Sequence, residues 1–192
     1  MKDPSVPASP ASPPGYPAEL EHLWHASDGT PIRMRALRPD DLDRELDFIA
    51  RLSEKTLYLR LQYSSREVSR AEAARLLDLD YRDTMAIGAL LDEPPHGILI
   101  GVSRYARIDD TDRAECAVVV ADAWQGRGIA TELMRSLGAA AWDRGIRTLE
   151  GSTLAENQRI HNWARRLGLD ARTEPNSGGQ VKVTLELASM LS

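Results

Sequence analysis

The run Gln125-Gly126-Arg127-Gly128-Ile129-Ala130 follows closely on the apolar string Cys116-Ala117-Val118-Val119-Val120 and opens a helical pattern. A hand-over of this kind leaves the first N–H groups of the helix without intrahelical partners, at the positive end of its dipole, and such an end favours an anion. Glycines at 126 and 128 let the backbone approach an anion closely and adopt turn conformations that other residues resist. Arg127 between them offers a charge-assisted contact. The chemistry this permits is the cradling of a phosphate-bearing ligand; the plainer alternative is a tight turn. Two nucleotide patterns are excluded by spacing. The chain has no G-x-x-x-x-G-K-[ST] run, and G-x-G-x-x-G would need a glycine where Thr131 stands.

Elements of both periods are needed to hold such a turn. Residues 30–37 alternate Ile32, Met34 and Ala36 against Arg33 and Arg35, as a strand with one buried face would. Leu42, Leu46, Ile49 and Leu52 then recur at helical spacing behind Pro39 and the acidic residues that follow it. Short helices are expected over 53–63 and 69–80, the second opened by Ser69 with Glu72 three residues on, the spelling of a capping box. From Thr84 the period shortens, and the apolar runs 84–91, 97–108 and 115–120, separated by turn-like residues, predict an antiparallel meander. The helix after the turn carries Leu133, Leu137, Ala140 and Ala141 on one stripe. A strand over 147–153, a helix over 156–168 closed by Gly168, and an alternating strand over 180–187 complete the order. No internal repeat interrupts it. This order predicts an α/β (α+β) layered domain, with a central mixed, mostly antiparallel, twisted sheet flanked by helices.

A chain of 192 residues suits one good-sized core. Residues 1–19, rich in Pro, Ser and Ala, are expected to form a disordered tail, leaving 20–192 as a single domain. A formal charge of -5 argues against nucleic acid or an anionic membrane as a partner. Cys116 is the one cysteine, so no internal disulfide can form, and its apolar setting fits a small buried side chain in a reducing cytosol. No apolar run approaches the ~20 residues of a membrane span and no signal segment opens the chain, so a cytoplasmic protein is expected. His22, His25, His96 and His161 are scattered without cysteine or glutamate companions at ligand spacing, so no metal is expected.

Gln125, Gly128 and Ala130 fit the pattern Q/R-x-x-G-x-G/A, and the turn so spelled, between a strand and a helix, resembles the cofactor turn of the GNAT-type N-acetyltransferases. The likeness extends over about residues 20–190. "DGTPIRMRALRPDD", "RLSEKTLYLRL" and "LAENQRIHNWARRLGL" are similar, more narrowly, to the bacterial protein lysine acetyltransferases. The resemblance implies a GNAT domain that uses acetyl-CoA as acyl donor and passes the acetyl group to a primary amine by direct attack, without an acyl-enzyme. It implies that Gln125, Gly126, Arg127, Gly128, Ile129, Ala130 and Thr131 line the pyrophosphate, and that Val118, Val119 and Val120 flank the pantetheine arm. A protein lysine is the acceptor the narrower likeness points to. A small amine or antibiotic, and a non-catalytic acyl-CoA-binding sensor, are the alternatives.

An alkyl amine with a pKa near ~10.4 must lose a proton before it attacks a thioester. Glu115 begins the apolar strand, ten positions before Gln125. The five steps from Glu115 to Val120 span roughly 16 Å of strand, comparable with an extended pantetheine arm. In the lysine acetyltransferases a glutamate at this offset is the general base, and the resemblance carries that role to Glu115; the plainer alternative is a solvated residue beside Arg113. Asn157 stands eleven residues before Gly168, where the family has an asparagine that bonds the cofactor arm, though an N-cap would also suit it. One departure is clear. Where many members carry a tyrosine that protonates the leaving thiolate, this chain has Ala164. Tyr58, Arg60 and Tyr63 lie in the region that builds acceptor pockets in the family, with packing the simpler role for Tyr58.

Overall fold

Strands with apolar faces must share a sheet, and among the described residues eight do so. The computed structural model of the chain describes residues 12–61, 68–93, 97–166, 170–172 and 180–191. Its elements run β1 (His22–His25), β2 (Pro31–Ala36), α1 (Leu42–Ala50), α2 (Glu54–Leu61), α3 (Arg70–Leu76), β3 (Thr84–Leu91), β4 (Ile98–Arg107), β5 (Arg113–Val120), α4 (Ile129–Asp143), β6 (Thr148–Leu154), α5 (Gln158–Arg166), β7 (Asp170–Arg172), β8 (Gln180–Glu186) and α6 (Leu187–Leu191). The order across the sheet is β1-β2-β3-β4-β5-β6-β8-β7. Every neighbouring pair is antiparallel except β5 and β6, which run parallel because α4 carries the chain back between them.

The expected mixed, mostly antiparallel sheet flanked by helices is what forms, with apolar side chains on both faces. On one face Leu133, Leu137, Ala140 and Ala141 of α4 pack fully buried against Ile87, Tyr105, Ala114 and Leu149 of the sheet. On the other, Phe48 of α1 and Leu77 after α3 pack against Ala86, Leu99 and Val102. Ser69 and Glu72 cap α3 as their spacing predicts: the Glu72 N–H donates to the Ser69 hydroxyl at 3.2 Å, and the Ser69 N–H to the Glu72 carboxylate at 3.0 Å.

Five features differ from the sequence expectations. β1, β7 and α6 were not anticipated; β7 and α6 are too short to show a period, and β1 "HLWH" carries polar ends. Residues 12–19 of the Pro-rich run are seated on the domain, because the aromatic residue there finds a place: the Tyr16 hydroxyl donates to the Ala36 carbonyl at 3.2 Å and its ring meets Tyr81 edge-on at 5.7 Å. Residues 1–11 lie outside the described residues, as do Tyr63, His96, Gly168 and the Arg60 side chain. Finally, β2 has no solvated face at Arg35, which is buried in a two-pronged pair with Asp41, both contacts 2.7 Å.

Asp41 sits just before α1 with its side chain fully buried. Burial alone would raise its pKa, but the Arg35 guanidinium, the Arg38 N–H at 2.9 Å and the charge of Arg44 together hold it below the usual value. A carboxylate held low contributes stability above its unfolded pKa of ~3.9, and that contribution is lost as pH falls through the folded value. Asp41→Ala leaves the Arg35 charge buried without its partner and is expected to cost about 3–5 kcal/mol in urea unfolding, together with the share of the acid slope that Asp41 supplies. A loss below about 1 kcal/mol would mean that the pair behaves as an exposed one.

Candidate functional site

Pairing between β5 and β6 is short. Arg113, Ala114 and Glu115 face Thr148, Leu149 and Glu150, and the ladder then stops, β5 continuing along β4 to Val120 and β6 along β8 to Leu154. Close contact persists as far as Gly151, where an added Cβ would stand 3.3 Å from the Cys116 carbonyl. Beyond that point the strands part. The Ile108 N–H donates to the Arg113 carbonyl at 2.8 Å and the Ala121 N–H to the Ile100 carbonyl at 2.9 Å, with regular register between them. Alternation therefore turns the amides of Glu115, Ala117 and Val119 toward β4 and those of Cys116, Val118 and Val120 toward the split. The Val120 carbonyl is taken by the Gln125 side-chain amide at 2.9 Å. Val118 presents its backbone to the open part of the split.

At the far end of β5 a single 3-10 turn, Asp122–Trp124, leads into the glycine turn. Gly126 and Gly128 have φ of +82° and +89°, and Gly128 is the left-handed N-cap of α4. A side chain at 126 would be disfavoured by conformation alone; at 128 it would also meet the Trp24 ring at 3.3 Å. Among the described residues, the N–H groups of Gly126, Arg127, Gly128, Ile129 and Ala130 have no acceptor, whereas Thr131 N–H bonds the Gly128 carbonyl at 3.0 Å. The Thr131 hydroxyl is also engaged, accepting from the Trp163 indole at 3.0 Å. The fit to a pyrophosphate thus rests on five amides, 126 to 130, with Thr131 supporting α5. Arg127 is turned elsewhere: its guanidinium pairs with Asp28 at 2.5 Å, donates to the Ala123 carbonyl at 3.2 Å and lies 4.5 Å over the Trp124 ring.

Glu115 is exposed at the closed end of the split, opposite Ala106 of β4 and Glu150 of β6. Val118 and Val119 are half-buried, and Val120 packs into the α4 face. Asn157 is buried at the start of α5, where it acts as a cap, its carbonyl oxygen accepting from Ile160 N–H at 3.3 Å and its amide donating to the Thr153 hydroxyl at 3.1 Å. Ala164 is fully buried. Among the described residues, no group of three or more His, Cys, Asp or Glu could hold a metal ion, and no helix is long and apolar enough to cross a membrane.

Residues 32–170 match the family model described as the acetyltransferase (GNAT) domain. The chain belongs to the GNAT acetyltransferase family. An acetyltransferase of Pseudomonas aeruginosa is 36% identical over 154 residues, 80% of this chain and 83% of that protein. The acetyltransferase Pat of Mycolicibacterium smegmatis is 34% identical over 140 residues, 70% of this chain but 40% of that longer one. Among solved structures, the GNAT domain of Streptomyces lividans PAT superposes with a TM-score of 0.82 at 28% identity, covering 89% of this chain and 99% of that one. GNAT domains use acetyl-CoA; the split and its glycine turn are where this chain leaves backbone amides without an acceptor among the described residues.

Two contacts of this GNAT domain escaped the sequence. Asp122, directly after the strand, receives the Ser53 N–H at 2.9 Å and the Ser53 and Thr56 hydroxyls at 2.7 Å each, so it holds the start of α2 against the glycine turn. Burial would raise the Asp122 pKa, but these bonds hold it below the usual value. The S-x-x-T spelling of 53–56 was the available signal for a helix start; its partner, 66 residues away from Thr56, was not readable. Glu150, buried between Arg113 and Lys182, is the second.

Gly128→Ala meets a positive φ and the Trp24 ring together, so about 1–2 kcal/mol of stability should be lost in urea and coenzyme A should bind about tenfold more weakly by calorimetry. Undiminished binding would reduce the turn to geometry. Asp122→Ala should cost about 1 kcal/mol and speed amide hydrogen exchange at the start of α2; exchange unchanged there would show that α2 is held by other contacts.

Proposed function

We propose that this acetyltransferase moves the acetyl group of acetyl-CoA to the ε-amine of a protein lysine, by direct attack with Glu115 as general base. The observation that carries this reading is the span of β5. The five amides of the glycine turn lie beyond one end, Glu115 lies near the other, and between them Val118 turns its backbone into the split. The interval from Glu115 to Val120 is roughly 16 Å at the rise of a strand, which matches a pantetheine arm laid along β5 with its phosphates on residues 126 to 130.

Acetyl-CoA supplies an activated thioester carbonyl. The chain supplies the rest. Glu115, open to solvent and at the point where the strands part, receives the proton that an incoming ammonium must shed. The Val118 N–H is a fixed donor for the carbonyl oxygen as charge develops there. Asn157, already a cap and a partner of Thr153, has a second amide hydrogen for the arm. Ala164 provides no hydroxyl for the leaving thiolate, and a thiol with a pKa near ~8.5 can take its proton from water.

Similarity to the S. lividans PAT domain and to M. smegmatis Pat supports a protein acceptor. Glu115→Gln should leave coenzyme A affinity within about twofold while cutting thiol release in the presence of acceptor by about 100-fold. Unchanged turnover would remove Glu115 from the mechanism. With a cell extract and a panel of small amines supplied together, new acetyl-lysine in the extract supports a protein acceptor; acetylation of small amines alone would replace it.

A further inference from the structure

Glu150 is a buried carboxylate for which the proposed transfer has no use. Its side chain, 8% exposed, is paired with Arg113 of β5 and with Lys182 of β8, whose Nζ is 2.7 Å away. Glu150 is the cross-strand neighbour of Glu115, and Lys182 is the neighbour of Ser152, two residues farther along β6. Directly opposed residues share a face of the sheet and alternate residues return to it, so Glu115, Glu150 and Lys182 lie on one face. That face is the one where Val102 and its neighbour Val119 meet α1 and the end of α3. Pairing of β5 with β6 ends at Glu115 and Glu150, and Lys182 lies one strand beyond the split, across β6 on the same face, with its ammonium beside the carboxylate that adjoins Glu115.

Lysine is scarce in this chain. Of 24 basic residues only Lys2, Lys55 and Lys182 are lysines. Lys55 is exposed on α2, whereas the Lys182 side chain is 31% exposed and ion-paired. Lys182, on the same face of the sheet as the proposed base, is thus less accessible to solution reagents than Lys55.

Resting on Glu115 as the base of a lysine-directed transfer, we propose that Lys182 is a modification site and that the protein acetylates it in cis from acetyl-CoA. The Lys182 ammonium gives one proton to Glu115, which returns it to solvent. Its nitrogen forms a bond to the acetyl carbonyl carbon as the carbon–sulfur bond breaks. A second nitrogen proton ends on the departing thiolate, so an amide and free coenzyme A thiol are formed with no further reactant. The ion pair with Glu150 must be broken before the nitrogen can attack, which makes the step slow. One event per chain, on an amine carried by the same protein molecule, needs no encounter between two protein chains. The product no longer carries the charge that faces Glu150, which is left with Arg113 as its remaining ion-pair partner.

The test is a time course of the full chain with acetyl-CoA bearing an isotope-labelled acetyl group. Sites are read by peptide mass spectrometry, and transfer to an added cell extract is measured in parallel. Lys182 should be labelled about tenfold faster than Lys55, at a first-order rate unchanged by dilution of the protein, and the label should fall about 100-fold in Glu115→Gln. Lys182→Arg should remove the main label; Glu115→Gln and the dilution series decide the matter even if that variant does not fold. Faster labelling of Lys55, or Lys182 labelling that survives Glu115→Gln, would overturn cis acetylation in favour of solution chemistry. Acetylated extract proteins with no label on Lys182 would overturn the inference alone. Absence of both would overturn it together with the proposed function.

Discussion

Two parallel strands that pair for three residues and then part create a demand that the rest of the molecule is built around. Backbone N–H and C=O groups left inside a fold must find partners. Along β5 the odd-numbered residues satisfy theirs on β4, while the even-numbered ones beyond the last pair face a gap. The Gln125 side chain closes the far end by donating to the Val120 carbonyl, and close approach of Gly151 to Cys116 closes the near end. What remains between them is a slot with backbone on its wall. A sheet would normally fill such a slot with another strand; here an extended ligand of the same length can take its place.

The glycine-turn end of the slot is tied to other parts of the chain. At the glycine turn, Trp24 lies under Gly128, Arg127 is held by Asp28, and the Arg127 carbonyl accepts from Ser27 N–H at 3.2 Å, so the β1–β2 hairpin braces the turn. Asp122 then joins the same corner to the start of α2. A shift of the turn would be felt by α2 through these bonds, which join the two directly.

Buried charge is concentrated on one face of the sheet. Arg104 reaches Glu45 of α1 at 2.6 Å and the Leu76 carbonyl at 3.2 Å, and Glu150 gathers Arg113 and Lys182. Each buried carboxylate is met by at least one cation, and the pairs join elements far apart in sequence, as a pair must when desolvation makes an unmatched partner costly. The α4 face, by contrast, is sealed by aliphatic and aromatic packing, with Ser103 satisfied by the Leu133 carbonyl at 3.0 Å. The apolar face fixes the sheet, and the charged face surrounds its open slot.

The meander β3–β4–β5, the helices α1 to α5, the capping box at Ser69 and the glycine turn were legible because each is local: a period, a cap or a positive φ is written within a few consecutive residues. The turn's spelling also carried the family. Other outcomes depended on which segments became neighbours. Arg35 looked like a solvated strand residue until Asp41 was folded over it, Arg127 looked aimed at a phosphate until Asp28 arrived from the hairpin, and Thr131 gave its hydroxyl to Trp163. Asp122 found Ser53, and Glu150 came to lie beside Glu115, across separations no spacing rule covers. Local chemistry is set by the order of residues along the chain, but the partner of a charge or an amide is set by distance in space, and only the packed sheet fixes that distance.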